Sequence, residues 1–319
     1  MLTLGIIGTG SITRQMLDAV QHTQDITAAA VTSRSLPRAE AFAAELQIPH
    51  AFDSYASMLA SDVINTVYIA SPNALHVPQA LAALKAGKHV ICEKPLAVTK
   101  GESTQLFNEA RGQKRFLFEA ITPPFLPNFQ KIQQWMPALG TIQQVDLVYT
   151  QRSSRYTNYL RGETPNVFNP DLQGGALNDL GVYPIHIALA LFGKPKQVAY
   201  DPIYGRNGID LSGKLTLDYD GFPCNIFCAK NCDRGTRGLI RGERGVIRMD
   251  GPLNELTRCS FFSGAASELS ETPSGVNRLC YELTAFRDAI HHRDQTLFER
   301  MANESIDAAS ILEAAHKHP

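Results

Sequence analysis

The sequence predicts an α/β chain in two parts. Residues 1–121 should form a doubly wound parallel sheet, and residues 122–319 an α+β part with a large, mostly antiparallel open sheet. Three observations carry this. The first third alternates short apolar strands with amphipathic helices; Pro123, Pro124 and Pro127 mark a change of texture; beyond Thr141 the strands lengthen and alternate apolar with polar residues. At 319 residues the chain can hold two cores, since one core stops growing near ~250–300 residues.

Each element follows from local chemistry. Residues 2–7 (LTLGII) are the first strand, followed by a glycine turn and a helix over 12–21. Residues 26–32 form the second strand. Pro37 occupies the first turn of the next helix, 38–46, where its missing N–H costs nothing. Residues 63–70 and 89–92 are short apolar strands suited to burial on both faces. The helix between them, 77–85, is closed by Gly87. A helix over 99–111 and a strand over 115–120 complete this part. The second part carries strands at 142–150, 213–219, 223–232, 239–241 and 246–249, interrupted by a helix over 181–192. Helices at 275–291 and 303–316 follow, the last able to pack back on the first part.

Composition narrows the function classes. A formal net charge of -1 offers no field for nucleic acid or an acidic membrane. No apolar run reaches the ~20 residues that span a bilayer. Residues 1–5 (MLTLG) lack a basic leader region, so a cytoplasmic protein is expected. Cys224, Cys228 and Cys232 are evenly spaced, yet their segment is rich in strand formers. Four strand residues span roughly 13 Å, too far for two thiolates on one zinc. They read as reduced, buried thiols, and no metal is expected.

The glycine turn carries the first chemical signal. Gly8, Thr9, Gly10, Ser11 and Ile12 lie between the first strand and its helix. Gly8 allows the tight turn, and Gly10 lets the backbone approach a pyrophosphate at the positive helix N-terminus, as in a Rossmann dinucleotide site. Thr13 stands where Gly or Ala is usual and is expected to loosen the helix–strand contact. The second strand ends in Ser33 and Arg34, with Arg38 one turn on, and no carboxylate is present to select a ribose 2′-hydroxyl. Ser33 can donate to a 2′-phosphate, and Arg34 and Arg38 can pair with its charge. NADP(H) is therefore expected in preference to NAD(H), which is also admitted; the alternative is that both arginines are merely solvated.

Three further motifs name a family. Residues 70–76 (ASPNALH) close one strand and 92–95 (CEKP) the next, and 174–186 (GGALNDLGVYPIH) follow later. In this order they resemble the Gfo/Idh/MocA oxidoreductases. Residues 116–120 (FLFEA) and Tyr183 are similar to the dihydrodiol dehydrogenase and D-xylose dehydrogenase branch. Independently of the family, Lys94 falls at a strand's carboxyl end, where ligands of doubly wound folds sit, and Pro95 keeps it extended. Lys94 or Tyr183 can exchange the proton that accompanies hydride transfer to or from an alcohol carbon.

The resemblance implies that the Lys94–Pro95 bond is cis, that Asp179 orients substrate hydroxyls and the lysine, and that Tyr183 relays the proton. It places Asn73 and His76 on the nicotinamide side, with Ser71, Glu93 and Lys94 completing the cofactor set. It also implies a homodimer, or dimer of dimers, through the open sheet face. Singly, Lys94 reads equally as an exposed strand-end lysine, Asp179 as a helix cap and Tyr183 as a core aromatic. His186 stays outside the catalytic set. Two departures, residues 121–124 (ITPP) and Phe168-Asn169, remove arginines usual in relatives and leave a less cationic pocket for a small-molecule substrate. The rival reading is a non-catalytic NAD(P)-binding sensor of the same fold.

Overall fold

The computed structural model describes residues 1–273 and 275–317. Its first compact unit is Met1–Ala120 with Val276–Ile306, and its second is Ile121–Gly275 with Asp307–Pro319. The first unit thus takes in residues 276–306, late in the chain, alongside residues 1–120.

In the first unit, strands β1 (Leu2–Ile7), β2 (Ile26–Thr32), β3 (His50–Phe52), β4 (Thr66–Ile69), β5 (His89–Glu93) and β6 (Leu117–Ala120) form one sheet. Their order is β3-β2-β1-β4-β5-β6, and every pairing is parallel. The crossover helices are α1 (Ser11–Gln21), α2 (Leu36–Leu46), α3 (Tyr55–Ala60), α4 (His76–Lys85) and α5 (Lys100–Gln113). All four residues of β4 are buried, as a central parallel strand requires. Helix α4 ends because Gly87 takes φ +73°, letting its N–H reach Leu84 O (2.9 Å) and that of Lys88 reach Ala83 O (3.0 Å).

The returning segment completes this unit's core. The Phe286 ring stacks on Phe118 at 4.6 Å, and Phe298 meets Phe116 edge-on at 5.5 Å.

The second unit opens with α6 (Pro127–Trp135), β7 (Ile142–Thr150), α7 (Tyr156–Leu160) and α8 (Val182–Phe192). Then come β8 (Gln197–Tyr204), β9 (Asp210–Tyr219), β10 (Phe222–Ala229), β11 (Arg237–Gly242), β12 (Val246–Asp250), β13 (Arg258–Ser263) and β14 (Ala266–Glu271). Eight strands pair in the order β14-β13-β12-β11-β7-β10-β9-β8, antiparallel except for β7 with β10. Val145, Leu147, Leu215, Ile226, Ile240 and Met249 fill one buried face. The alternate positions, among them Asp146, Val148, Asn225, Phe227 and Leu239, are half-buried, and Asn225 donates to Asp146 at 3.2 Å. Cys224 and Cys228 lie buried on β10 as free thiols, where burial pushes both pKa values up. The most apolar long segment, Pro170–Phe192, has 78% of its most hydropathic window buried inside the protein, which makes it a core segment.

The chain then forms α9 (Leu279–His292) and α10 (Gln295–Lys317). Helix α10 starts eight residues before the expected 303. The Asp294 carboxylate accepts the Leu297 N–H at 3.0 Å and so caps an earlier turn.

Candidate active site

The first unit supplies a phosphate-ready turn. Gly8 has φ +107°, and a Cβ there would sit 2.3 Å from the Ala70 carbonyl, so no other residue fits. Gly10 is the N-cap of α1, and a Cβ there would meet nothing within 4 Å, which leaves room for a ligand to approach the backbone. The N–H groups of Ser11 and Ile12, in the first turn of α1, have no intrahelical acceptor. Thr13 corrects the expectation of a loosened contact. It is fully buried, and its hydroxyl donates to Gly8 O at 3.1 Å, tying helix to turn.

Beside this turn, Arg38 Nε donates to Thr9 Oγ1 at 2.9 Å, so the guanidinium is already held at the glycine loop. Arg34 is exposed and makes no ion pair among the described residues. Ser33 turns its hydroxyl to Ser35 O at 2.9 Å. An adenosine 2′-phosphate would meet two cations and no carboxylate, so these residues fit NADP(H).

Lys94 is half-buried at the carboxyl end of β5, and the Lys94–Pro95 bond is cis, as the resemblance implies. The loops around it are tied by buried groups. His76 is 1% exposed; Nδ1 lies 2.8 Å from Pro95 O and Nε2 lies 2.9 Å from Ser71 O. Burial lowers its pKa, and a neutral ring has one N–H to give. His76 thus ties two strand ends together, close to the residues expected on the nicotinamide side. Ser71 Oγ donates to Gln79 Oε1 at 2.6 Å, and Asn73 opens the short turn before α4.

Three acidic groups support this unit's site, and only one of them was expected. Glu93 was expected, but its partner Tyr68 was not; the buried phenol donates to Glu93 Oε1 at 2.6 Å. Burial raises the Glu93 pKa, against that hydrogen bond and the charge of Lys94. Glu119 accepts the Leu96 N–H at 2.9 Å and fixes the chain just past Pro95. Glu282 on α9 is fully buried, and desolvation, reinforced by Glu93, holds its carboxyl well above the usual range. A signal existed: Glu282 shares the apolar stripe of Leu279, Leu283 and Phe286.

The second unit supplies the substrate-side candidates. Gly174 is required because a Cβ would lie 2.6 Å from Val167 O; at Gly175, φ is +105° and a Cβ would lie 1.9 Å from Asp210 Oδ1. Asp210, buried and unforeseen, accepts the Leu177 N–H and the Tyr200 hydroxyl, each at 2.7 Å, and so caps the following segment. Desolvation raises its pKa to about 6. That segment, Leu177–Gly181, is π-helical and runs into α8. The turn between Asp179 and Tyr183 is thus wider than an α-helical one, a feature common at functional sites.

The Asp179 carboxylate pairs with the Lys230 ammonium, a residue not foreseen. Tyr183 is 9% exposed and lies 5.7 Å, centroid to centroid, from Tyr149, whose hydroxyl donates to Asn254 Oδ1 at 2.7 Å. His186 is fully buried within α8.

Comparison with known proteins fits both units. Residues 2–120 match the model of an oxidoreductase family with an NAD-binding Rossmann fold, and residues 129–248 match that of the GFO/IDH/MocA C-terminal domain. The chain is 36% identical over 318 residues to the scyllo-inositol 2-dehydrogenase (NADP(+)) IolU of Bacillus subtilis, covering 99% of this chain and 97% of that protein. It is 33% identical over 222 residues to a D-xylose 1-dehydrogenase (NADP(+)) of Haloferax volcanii, covering 69% and 66%. The fold matches KijD10, a 3-ketoreductase from Actinomadura kijaniata in complex with NADP and TDP-benzene. The TM-score is 0.89 at 22% identity, over 99% of this chain and 97% of that one.

Proposed function

The chain belongs to the Gfo/Idh/MocA oxidoreductases, and from that premise we infer an NADP(H)-preferring enzyme acting on CH–OH groups. Its substrate is a sugar, polyol or dihydrodiol-like alcohol, or the corresponding carbonyl, and NAD(H) is a possible second cofactor. The similarity to an NADP(+)-dependent scyllo-inositol dehydrogenase along almost the whole of both chains carries this reading.

In this proposal residues 1–121 hold the cofactor. Gly8, Thr9, Gly10, Ser11 and Ile12 bind the pyrophosphate, and Ser33, Arg34 and Arg38 bind the 2′-phosphate. Ser71, Asn73, His76, Glu93 and Lys94 border the nicotinamide, and His76 also braces the loops around it. When bound, the cofactor supplies or takes up the hydride. Residues 122–319 carry the substrate-side groups.

For oxidation, Lys94 or Tyr183 accepts the hydroxyl proton as the carbonyl forms; for reduction the same group returns it. Asp179 accepts a hydrogen bond from a substrate hydroxyl and so fixes which carbon reacts.

We further propose a cytoplasmic homodimer, or dimer of dimers, packed through the half-buried sheet face that carries Val148, Phe227 and Leu239. Six free thiols suit a reducing compartment. A screen that follows NADPH absorbance over inositols, aldoses, dihydrodiols and dicarbonyls tests the enzymatic reading. At least one neutral polyol or sugar should be turned over. NADPH binding without turnover across the whole panel would overturn it in favour of a sensor.

A further inference from the structure

Lys230 lies just past the end of β10, where a strand-end lysine would ordinarily extend into water. Here its side chain is only 8% exposed and ends on Asp179 Oδ2. Its backbone is held on both sides: Lys230 N–H donates to Leu211 O at 2.8 Å, and Lys230 O accepts from Ser153 N–H at 2.9 Å. The main chain of Lys230 is thus anchored to β9 on one side and to the segment just past β7 on the other, and the ammonium is held by Asp179.

The Asp179 side chain is 28% exposed, more than three times its partner. The pair therefore buries its cation and presents its carboxylate. Removing an ammonium from water is costly unless a close anion compensates it, and a surface-facing Asp needs no buried partner for its own solvation. The arrangement is explained if the orientation of the carboxylate matters.

We infer that Lys230 is a positioning residue of the substrate half, which fixes one oxygen of Asp179 and sets the direction in which that carboxylate meets a substrate hydroxyl. The inference rests on the oxidoreductase reading above. It also sharpens the substrate class. The charge of Lys230 is consumed by Asp179, so the pair adds no net charge and suits a neutral polyhydroxylated substrate over a sugar acid or phosphate.

A double-mutant cycle with NADP+ and two probes, scyllo-inositol and D-xylose, tests it. Lys230→Met should lower kcat/KM by roughly ten- to a hundredfold, the scale of a lost charge-assisted contact. Lys230→Arg should recover part of the loss. Asp179→Asn combined with Lys230→Met should be no worse than Asp179→Asn alone to within about threefold, because the lysine acts only through the aspartate. NADPH affinity should stay within about threefold throughout, which separates positioning from misfolding. A Lys230→Met enzyme as active as the unaltered one, or effects that multiply in the double variant, overturns the inference.

Thermal unfolding of the same four proteins gives a readout free of activity. Lys230→Met should destabilise more than the double variant does, since it leaves a carboxylate uncompensated; additive losses overturn the pairing. If neither probe is turned over by the unaltered enzyme, the substrate reading fails, and Lys230 is judged by the unfolding cycle alone.

Discussion

Replacing Lys94 by Ala is expected to lower kcat/KM by about two to four decades, the usual contribution of a positioned acid–base group. NADPH affinity, measured by fluorescence titration, should change little, because the turn at Gly8 and Gly10 and the Arg38–Thr9 contact do not depend on the lysine. Lys94→Arg should be nearly as poor, since a guanidinium does not give up its proton. A Lys94→Ala enzyme with near-normal turnover would hand the acid–base role to Tyr183. In the proposed site, cofactor choice is set beyond the end of β2. Arg34 is exposed and adds charge to the mouth of the site, so Arg34→Asp should lower the ratio of NADP+ to NAD+ affinity by about one to two decades, ~1.5–3 kcal/mol. An unchanged ratio would leave the preference to Arg38 alone. Residues of this kind are legible in the sequence because their chemistry is carried by local motifs. Lys230, Asp210 and Tyr68 are not, because each matters only through a partner brought near by the fold: Asp179 lies 51 residues from Lys230, and Glu93 lies 25 from Tyr68.

Among the elements, the segment Leu177–Gly181 depends on a buried acid. Asp210 caps it with a pKa raised from 3.8 to about 6 by desolvation. The unfolded chain therefore releases this proton at lower pH than the folded one. Stability from this group is full below about pH 4 and is lost as pH rises through about 6. The loss amounts to roughly 2–3 kcal/mol, because each tenfold difference in proton affinity between the folded and unfolded chain is worth ~1.4 kcal/mol. In urea titrations, Asp210→Asn should accordingly gain stability relative to the unaltered protein between pH 4 and 7. A difference that stays flat across that range would mean that Asp210 is already ionised without cost. The parallel sheet of the first unit is readable because buried strands are continuous apolar runs between helices, and the expected strand over 26–32 is β2 to the residue. In the second unit the expected strand over 142–150 is likewise β7, where apolar and polar residues alternate. The strands β8, β13 and β14 are absent from the sequence expectation. β14 and β8 are each exposed along most of their length, so burial imposes little apolar alternation to read there. The glycine pair before the π turn is visible as a motif, but the π geometry is not, since it comes from tertiary demands and not from any residue's preference.

For the whole molecule, the proposed homodimer would pack through one face of the second unit's sheet. The half-buried sheet positions Val148, Phe227 and Leu239 leave apolar groups beside the Gln144–Asp146–Asn225 hydrogen bonds. Light scattering at micromolar concentration should give at least twice the 35.0 kDa chain mass, and Phe227→Asp should shift it toward the monomer. A monomeric unaltered protein would refute the assembly. The return of residues 276–306 to the first unit also sets a timetable for synthesis. A ribosome adding about 5–20 residues per second needs roughly 10–40 s to pass from residue 120 to residue 306. Until then Phe118 lacks the ring of Phe286, and Phe116 lacks that of Phe298. The nascent nucleotide-binding sheet must wait with its aromatic flank uncovered, a natural client for a chaperone. Ribosome-bound chains stalled before residue 276 should accordingly be cut readily by protease within residues 1–120, and chains released after 306 should resist; equal resistance in both would show that the sheet closes without its returning helices.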